Sequence, residues 1–240
     1  MSRKFISGQH QYLRYTGDLG VSGYPVSISM LFRCSGATPL MWWSEDGGSK
    51  RVQTDQHADG AMDAYFNGSP SNGYMEPSRK FSLNGWHHQA VVLYSSTSRY
   101  TVIDAIWGSG AALNSATIDW HAMSYIELGG NTREPRYGNC EIAEVAIWEA
   151  YQLTAAQVRL LSMGFRPDCI GTAPHNYWPL AGTASPEPDI VGSKNLTLYG
   201  DSAPAQGAQP VFAIAPPMID GIVPGIGPEW WPFFLRYLYS

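Results

Sequence analysis

Short segments in which apolar and polar residues alternate recur along the chain, and they predict β-strands. The clearest is 25–34, PVSISMLFRC, in which Val26, Ile28, Met30 and Phe32 fall on one face. Further segments of this kind lie at 40–44, 50–55, 61–67, 83–94 and 99–107. About seven to ten such strands, with turn residues between them, predict an antiparallel β-sandwich.

The segment 125–164 differs from the others because a helix pattern follows its strands. YIELGG ends a strand on two glycines, and CEIAEVAIWEA alternates between a mixed face and a mostly apolar one. Thr154 and Gln157 have the spacing of a capping box, Val158 begins an apolar stripe, and Gly164 fits the position after a helix end. The sequence therefore predicts two strands followed by one short helix.

This segment resembles the closing motif of laminin-G-like jelly rolls in the concanavalin A-like lectin/glucanase superfamily. That motif contains an I-G-G strand, an I-D-E-V-R-I-W strand and a short L-T/S-x-x-x-I/V helix. The matching residues are Ile126, Gly129, Gly130, Ile142, Glu144, Val145, Ile147, Trp148, Leu153, Thr154 and Val158. Ala143 stands where the family has an aspartate. The resemblance implies an all-β fold, an antiparallel jelly-roll β-sandwich with one short helix, over residues 1–212.

The segment 83–94, LNGWHHQAVVLY, is similar to a second family strand, g-x-W-H-H-V-A-V-x-Y. The resemblance implies that Trp86 anchors the core and that the two histidines are structural. His87 and His88 are adjacent in a predicted strand, so their rings point to opposite faces and cannot readily share a metal ion.

The segment 99–107, RYTVIDAIW, is predicted to pair with the strand before it. Relatives carry l-Y-V-D-G at this place. Asp104 takes the position of the aspartate, whereas Ala105 replaces the glycine. Because glycine adopts a positive φ readily, we expect the tight turn to be altered here.

The segment 176–200 resembles segments that follow the same motif in laminin-G-like proteins of bacteriophage virions. The similarity lies in YWPL-x-G and D-x-x-G-x-x-N-L-T-x-x-G. We expect a strand at 176–180, an acidic turn and a last strand at 195–199. The leading hypothesis is therefore a non-enzymatic structural protein of a tailed-phage virion, placed as capsid decoration or with the tail. The N-terminal residues contain no apolar stretch typical of a secretory signal, which fits synthesis in the host cytoplasm.

Residues 213–240 are predicted to form a separate Pro/Gly-rich linker and aromatic interaction tail. The candidate partner interface consists of Trp230, Trp231, Phe233, Phe234, Leu235, Tyr237, Leu238 and Tyr239. So many rings are unfavourable in water, and they are expected to pack on their own domain or on a partner. The second alternative is favoured, with a second copy of the chain or another virion subunit as the partner.

Composition and charge exclude several partners. The chain has 15 Lys and Arg against 20 Asp and Glu, a net charge of −5, and no run of basic residues, so no nucleic-acid partner is expected. No segment approaches the roughly 18 apolar residues that span a bilayer, so no membrane span is expected. Cys34, Cys140 and Cys169 form no CxxC pair, which favours buried thiols over zinc or a disulfide framework.

No catalytic residues, metal or cofactor are predicted. Glu141 and Glu144 are three apart, so a regular strand would place them on opposite faces, unlike the paired carboxylates of glycoside hydrolases. The common nucleophile, zinc-protease and phosphate-loop motifs are absent from the sequence. Calcium at a sandwich rim stays open, although the segment 55–63, DQHADGAMD, lacks the full oxygen spacing of a calcium loop.

Glycan binding is the alternative function, either on a virion surface that meets host glycans or as a free lectin-like module. A sugar site needs a ring to stack on and polar side chains that bond hydroxyl groups. The candidate residues are Trp43, Tyr65, Asn67, Trp107, Asn131 and Arg133. Trp42 and Trp43 must point to opposite sides, so at least one of them is expected in the core. A glycoside hydrolase is less favoured.

Overall fold

The structure is a computed structural model, and it describes residues 1–46, 50–67, 72–75, 80–108, 118–201 and 205–210, with the backbone alone at 72–75. The predicted tail at 213–240, with its partner interface, lies outside the described residues. The strands in chain order are β1 Ser2–Phe5, β2 Tyr12–Thr16, β3 Val26–Cys34, β4 Thr38–Ser44, β5 Arg51–Gln56, β6 Met62–Asn67, β7 Asn72–Met75, β8 His87–Leu93, β9 Arg99–Ile103, β10 Ile106–Trp107, β11 Tyr125–Leu128, β12 Gly130–Asn131, β13 Arg136–Tyr137, β14 Cys140–Glu149, β15 Asn176–Trp178, β16 Thr197–Tyr199 and β17 Ala205–Gly207. One α-helix, α1, spans Ala155–Ser162, and short 3-10 turns lie at Ser7–Gln9, Trp120–Ala122 and Pro167–Cys169.

Two antiparallel sheets form a sandwich, as the strand pattern predicts. Sheet A has the order β10-β9-β8-β3-β14-β1-β17, and β15 also pairs with β14. Sheet B has the order β16-β2-β11-β4-β5-β6-β7, and the small hairpin β12–β13 stands apart from both. Several strands that are adjacent in a sheet, such as β3 and β14 or β16 and β2, are far apart in sequence, which is the arrangement of a jelly roll.

The core fills the space between the sheets. Val26, Ile28, Met30 and Phe32 all face it from β3, as their spacing predicts, and each is fully or almost fully buried. Burial of side chains of this size contributes about 1.5–3 kcal/mol each, so this single face of β3 is a large part of the sandwich's stability.

The helix α1 closes the outer face of sheet A. The Thr154 side chain accepts from the Gln157 backbone N–H, and the Gln157 side chain accepts from the Thr154 backbone N–H, which confirms the predicted capping box. Val158 and Leu161 pack in a second apolar cluster with Trp148 on the face of sheet A that points away from sheet B. The positive φ of 89° at Gly164 fits its place just beyond the helix end.

A β-bulge in β14 contradicts the simple alternation expected for this strand. Pairing with β3 shifts by one residue between Ala143 and Ala146, and Glu144 adopts a φ of 54°. Consequently Ile142 and Val145 both face the inner core, although they are three residues apart. Glu141 and Glu144 therefore share the outer face of sheet A rather than lying on opposite faces.

Two further expectations about strands differ from the structure. Trp86 is half-buried, and the Arg33 guanidinium lies 5.9 Å from its ring centre. It precedes β8, which begins at His87, and it does not belong to the core between the sheets. The turn between β9 and β10 stays tight despite the alanine. Asp104 and Ala105 have φ values of 50° and 61°, which is the pattern of a type I′ hairpin turn.

The closing segment completes sheet B, where β16 lies within the last strand expected at 195–199 and pairs with β2. The Asp189 carboxylate organises the loop before it, accepting from the backbone N–H groups of Tyr177, Val191, Gly192 and Lys194 and from the Asn176 side chain. A Cβ at Gly192 would lie 2.4 Å from an Asp189 carboxylate oxygen, so glycine is required there. The residues of the D-x-x-G-x-x-N pattern therefore stabilise the conformation of this loop.

Candidate functional site

The outer face of sheet B is the place where polar and aromatic side chains are concentrated. Strand β2 turns Leu13 toward the core and leaves Tyr12, Arg14 and Thr16 on the outer face. The hairpin β12–β13 folds back over this face from the end of β11, because Gly129 bends the chain with a φ of 77°. A Cβ at Gly129 would lie 2.4 Å from the Phe5 ring, so the bend depends on glycine.

An ion pair between the half-buried Arg14 and the fully buried Glu127 lies beneath the hairpin. The Arg14 guanidinium contacts the Glu127 carboxylate at 2.5 Å, and the Glu127 side chain has no exposed surface. Thr132 in the hairpin donates to the same carboxylate through its backbone N–H at 3.0 Å and its hydroxyl at 2.7 Å. Arg14 also donates to the Thr132 hydroxyl at 2.7 Å. Glu127 therefore fixes both the arginine and the hairpin.

Further contacts hold the far side of the hairpin. Arg136 donates to the Asp55 carboxylate at 2.8 Å, and Gln53 donates to the same oxygen at 2.5 Å. Burial raises the pKa of Asp55, and the neighbouring Arg136 opposes that rise. The side-chain oxygen of Asn131 accepts from the backbone N–H groups of Arg133 and Glu134 at 3.0 and 3.2 Å. The loop is thus ordered before any ligand arrives.

Arginines also cover the aromatic rings of this face. The Arg51 guanidinium lies 4.4 Å from the Trp42 ring centre and 4.9 Å from that of Tyr65. Arg14 lies 4.9 Å from the Tyr125 ring centre, and the Trp42 indole donates to the Tyr125 hydroxyl at 3.1 Å. These rings support the guanidinium groups from below.

An open pocket of about 420 Å³ lies at the tip of the hairpin and is named here the sheet B pocket. Its lining residues are Arg14, Thr16, Gly17, Asp46, Ser124, Tyr125, Thr132 and Arg133. The Arg133 side chain is exposed and donates to the Asp46 backbone carbonyl at 3.0 Å. Hydroxyl groups, guanidinium donors and a carboxylate around one cavity can bond several hydroxyls of a polar ligand.

A group of aromatic side chains adjoins the pocket at the other end of β2. The Tyr12 and Tyr199 rings stack with centres 5.2 Å apart and an angle of 10°. Tyr137 lies 6.2 Å from Tyr12, and His10 packs edge-on against Tyr137 at 4.8 Å. These residues, named here the tyrosine platform, are absent from the sequence-based prediction. The outward position of Tyr12 in its strand could have indicated such a surface. Its stacking partner Tyr199 could not be identified from the sequence, because it lies 187 residues away along the chain.

The structure separates the six predicted glycan-binding residues. Arg133 lines the pocket, and Asn131 is buried in the loop that positions it. Tyr65 and Asn67 lie half-buried on β6, further across the outer face of sheet B. They are not pocket-lining residues.

Two of the predicted rings are in the wrong place for this site. Trp43 is fully buried between the sheets, 5.2 Å from Trp120, so its ring cannot stack on a sugar. Trp107 lies on the outer face of sheet A, where it packs edge-on against Tyr100 at 5.5 Å. Trp42 is also fully buried, because Arg51 and Tyr125 cover the side of sheet B to which it points.

The His87 ring lies between Ser82 and Asp104, as the histidine of a catalytic triad lies between its serine and aspartate. The hydrogen bonds indicate a structural role instead. His87 Nδ1 lies 2.7 Å from Asp104, and Nε2 lies 3.3 Å from the Ser82 hydroxyl. The same Nε2 is closer, at 2.9 Å, to the Ser82 backbone carbonyl, which can only accept. The ring therefore donates there, and no lone pair is left to take a proton from the serine. Asp104 also accepts from the His88 backbone N–H, tying the hairpin turn to β8.

The two carboxylates on the outer face of sheet A have separate partners. Glu141 pairs with Arg33 and accepts from the Ser2 hydroxyl and the Ala208 backbone N–H. Glu144 accepts from the Tyr177 hydroxyl, and burial raises the pKa of Glu144.

The aspartates of the segment 55–63, where the sequence leaves a calcium site open, each contact a basic side chain. Asp55 contacts Arg136, Asp59 contacts Lys80, and Asp63 contacts His57. Within the described ranges, no three His, Cys, Asp or Glu side chains group in a way that could hold a metal ion. The described part of the chain also contains no helix long and apolar enough to cross a membrane.

No protein-family model and no curated protein matches the sequence. Solved structures resemble the fold. A heptameric pentraxin of Limulus polyphemus aligns with a TM-score of 0.60 at 12% identity, over 86% of this chain and 94% of its own. A Bacteroides ovatus protein, provisionally named as carbohydrate-binding, gives 0.58 at 14% over 85% and 60%. Domains LG4-5 of the mouse laminin α1 chain give 0.52 at 10% over 64% and 44%. Identities this low show the fold alone, a jelly roll similar to those of laminin-G and pentraxin structures.

Proposed function

We propose that the chain is a carbohydrate-binding protein and that the sheet B pocket is its binding site. The observation that carries this proposal is the fixed arrangement of Arg14, Thr132 and Arg133 around one open cavity. Sugars bind through several hydrogen bonds from polar groups that are already in place, because an ordered site loses little entropy on binding. The similarity of the fold to a provisionally named carbohydrate-binding protein supports the same class.

We also propose that the pocket binds without catalysis. The Glu127 carboxylate bonds the lining residues Arg14 and Thr132, and it is fully buried. A glycosidase needs two carboxyl groups placed on either side of the bond that breaks. Among the described residues that line the pocket, Asp46 alone carries a carboxylate.

A broad glycan microarray tests the proposal directly. We expect the full chain to bind one structural class of glycan and Arg133→Ala to lose at least about tenfold in affinity, because a charged hydrogen-bond donor is removed. Arg159→Ala is the matched control, since Arg159 is an exposed arginine on α1 at the opposite side of the sandwich. An array without signal, or equal losses in the two variants, would contradict the proposal.

A virion structural role is the second candidate function. Its support is the resemblance of 176–200 to laminin-G-like phage proteins, together with the aromatic sequence at 230–239. In this proposal the C-terminal residues contact a second copy or another virion subunit, and the sheet B pocket meets host glycans. The similar Limulus pentraxin is heptameric, so this fold is compatible with oligomers.

Mass spectrometry of purified phage particles tests the virion proposal. The chain should be detected as a virion component after synthesis in the host cytoplasm, and its absence from particles would contradict the proposal. Removal of residues 227–240 should abolish its incorporation while the β-sandwich stays folded. Light scattering of both chains measures whether the same residues also support a homo-oligomer.

A further inference from the structure

The pocket and the tyrosine platform lie along one strand. Tyr12, Arg14 and Thr16 are successive outward positions of β2, so they form a continuous floor. Arg14 belongs to the pocket, and its guanidinium lies 5.7 Å from the Tyr12 ring centre. From Tyr12 to Thr16 the strand rises about 13 Å, which is longer than a single sugar ring.

The neighbouring elements give this floor two sides. On one side, β16 is the edge strand of sheet B, and it places Thr197 opposite Arg14 and Tyr199 opposite Tyr12. On the other side, the hairpin places Thr132 against Arg14, and Tyr137 lies 6.2 Å from Tyr12. The result is a trough along β2 that is polar at the pocket and aromatic at the opposite end.

Tyr199 has a feature that the buried rings of this sheet lack. One face of its ring stacks on Tyr12, while 44% of the residue stays exposed at the sheet edge. An exposed ring held by a second ring loses little side-chain entropy when a ligand packs on it. The apolar face of a sugar ring is a suitable partner for such a ring.

We infer that the site takes a linear oligosaccharide, with one end bonded in the sheet B pocket and following units packed on Tyr199 and the tyrosine platform. This inference rests on the proposed function, and it adds the class of ligand. A terminal monosaccharide would fill the pocket alone and leave the platform unused. A linear chain can follow the trough because the polar and aromatic ends share the floor of β2.

The test is a microarray of linear homo-oligosaccharides of two to six glucose, xylose, mannose, galactose or arabinose units, followed by calorimetry on the full chain. For the sugar that binds, the hexamer should bind about tenfold more tightly than the dimer, because added stacking contacts are available only to the longer chain. Tyr199→Ala should remove that gain, so that dimer and hexamer bind with similar affinity. Tyr199→Trp should keep the gain, and Tyr94→Ala, at an exposed tyrosine that follows β8 in sheet A, should change nothing.

The outcomes separate the two proposals. Equal affinities for dimer and hexamer would overturn the inference and leave the pocket as a sugar site. A length-dependent gain that survives Tyr199→Ala would overturn the role of the tyrosine platform. A signal on the broad glycan microarray without binding to any of these linear oligosaccharides would overturn the inference and leave the proposed function. No signal on either array would overturn both.

Discussion

The Glu127 carboxylate holds the Arg14 guanidinium at 2.5 Å, and no part of the Glu127 side chain is exposed. Both residues lie on neighbouring strands, where Glu127 is directly opposite Arg14 in the pairing of β11 with β2. The pair therefore belongs to the sheet, while the ligand-facing residues Thr132 and Arg133 belong to the hairpin above it. Glu127 is the link between a rigid sheet and a binding loop.

Glu127→Gln should lower both stability and glycan binding. The change removes the charged acceptor of Arg14 and Thr132, and it costs about 2 kcal/mol in the free energy of unfolding because the Arg14 side chain is only partly buried. Urea denaturation measures this, and the microarray measures binding. Glu134→Gln is the control, because Glu134 is exposed and its ion pairs with Arg51 at 3.5 Å and Arg136 at 3.6 Å each contribute less than about 1 kcal/mol. Equal effects of the two variants would contradict the role of Glu127.

Asp189→Ala should destabilise the fold by about 3 kcal/mol, because several N–H donors of one loop lose a charged acceptor. Asp201→Ala is the matched control, since the Asp201 side chain is exposed and, within the described residues, forms an ion pair with the exposed His10 side chain alone. Thermal unfolding distinguishes them, with a clear drop in Tm expected for Asp189 alone. Similar Tm values would show that the loop is not held by this carboxylate.

Ala105→Gly should stabilise the chain by about 0.5–1 kcal/mol, because a left-handed conformation is unfavourable for alanine and free for glycine. The hairpin turn keeps its geometry, so the change acts on the backbone alone. Ala156→Gly, at an exposed position of α1, should have the opposite sign, about 1 kcal/mol destabilising. Chemical denaturation measures the free energy of unfolding of both variants, which should rise for Ala105→Gly and fall for Ala156→Gly. A loss of stability in Ala105→Gly would contradict the assignment of the turn.

His88 should make the fold sensitive to mild acid. Burial lowers the pKa of His88 from 6.5 to about 4, so the folded chain keeps this ring neutral where the unfolded chain takes up a proton. The stability that the neutral ring provides is complete above pH 6.5 and is lost as the pH falls towards 4. At pH 5 the free energy of unfolding should be about 2 kcal/mol lower than at high pH.

The variant His88→Gln isolates this effect. Its free energy of unfolding should change less between pH 7 and pH 5 than that of the wild type, by about the same 2 kcal/mol. Ser29→Ala removes the partner that lies 2.9 Å from the His88 ring but keeps the titrating group, so it should keep the wild-type pH dependence. A wild-type pH dependence in His88→Gln would contradict the assignment.

Local patterns predicted most of the fold. The apolar spacing of β3 and the capping box of α1 depend on residues close together in sequence, and both are confirmed. The bulge at Glu144 escaped prediction because it depends on how β14 pairs with β3, and no turn residue marks it. Trp86 was misplaced for a related reason, since its burial depends on where β8 begins.

The site was harder to predict than the fold. Arg133 was correctly identified as a polar loop residue, but whether Trp42 or Trp43 is exposed depends on which side chains cover each face, and both prove to be buried. The stacked Tyr12 and Tyr199 come from opposite ends of the chain and meet only through the order of strands in sheet B. The alternation of apolar and polar residues predicts which face of a strand a side chain lies on. A binding site also depends on which residues of the adjacent strands lie beside that side chain.

Hydrogen–deuterium exchange with and without the most strongly bound array glycan tests the central claim most directly. If the sheet B pocket is the binding site, amide protection should increase in 12–16 and 130–137 and stay unchanged in α1 and in β9 to β10. Protection confined to 99–107 and 155–165, on the outer face of sheet A, would contradict the account.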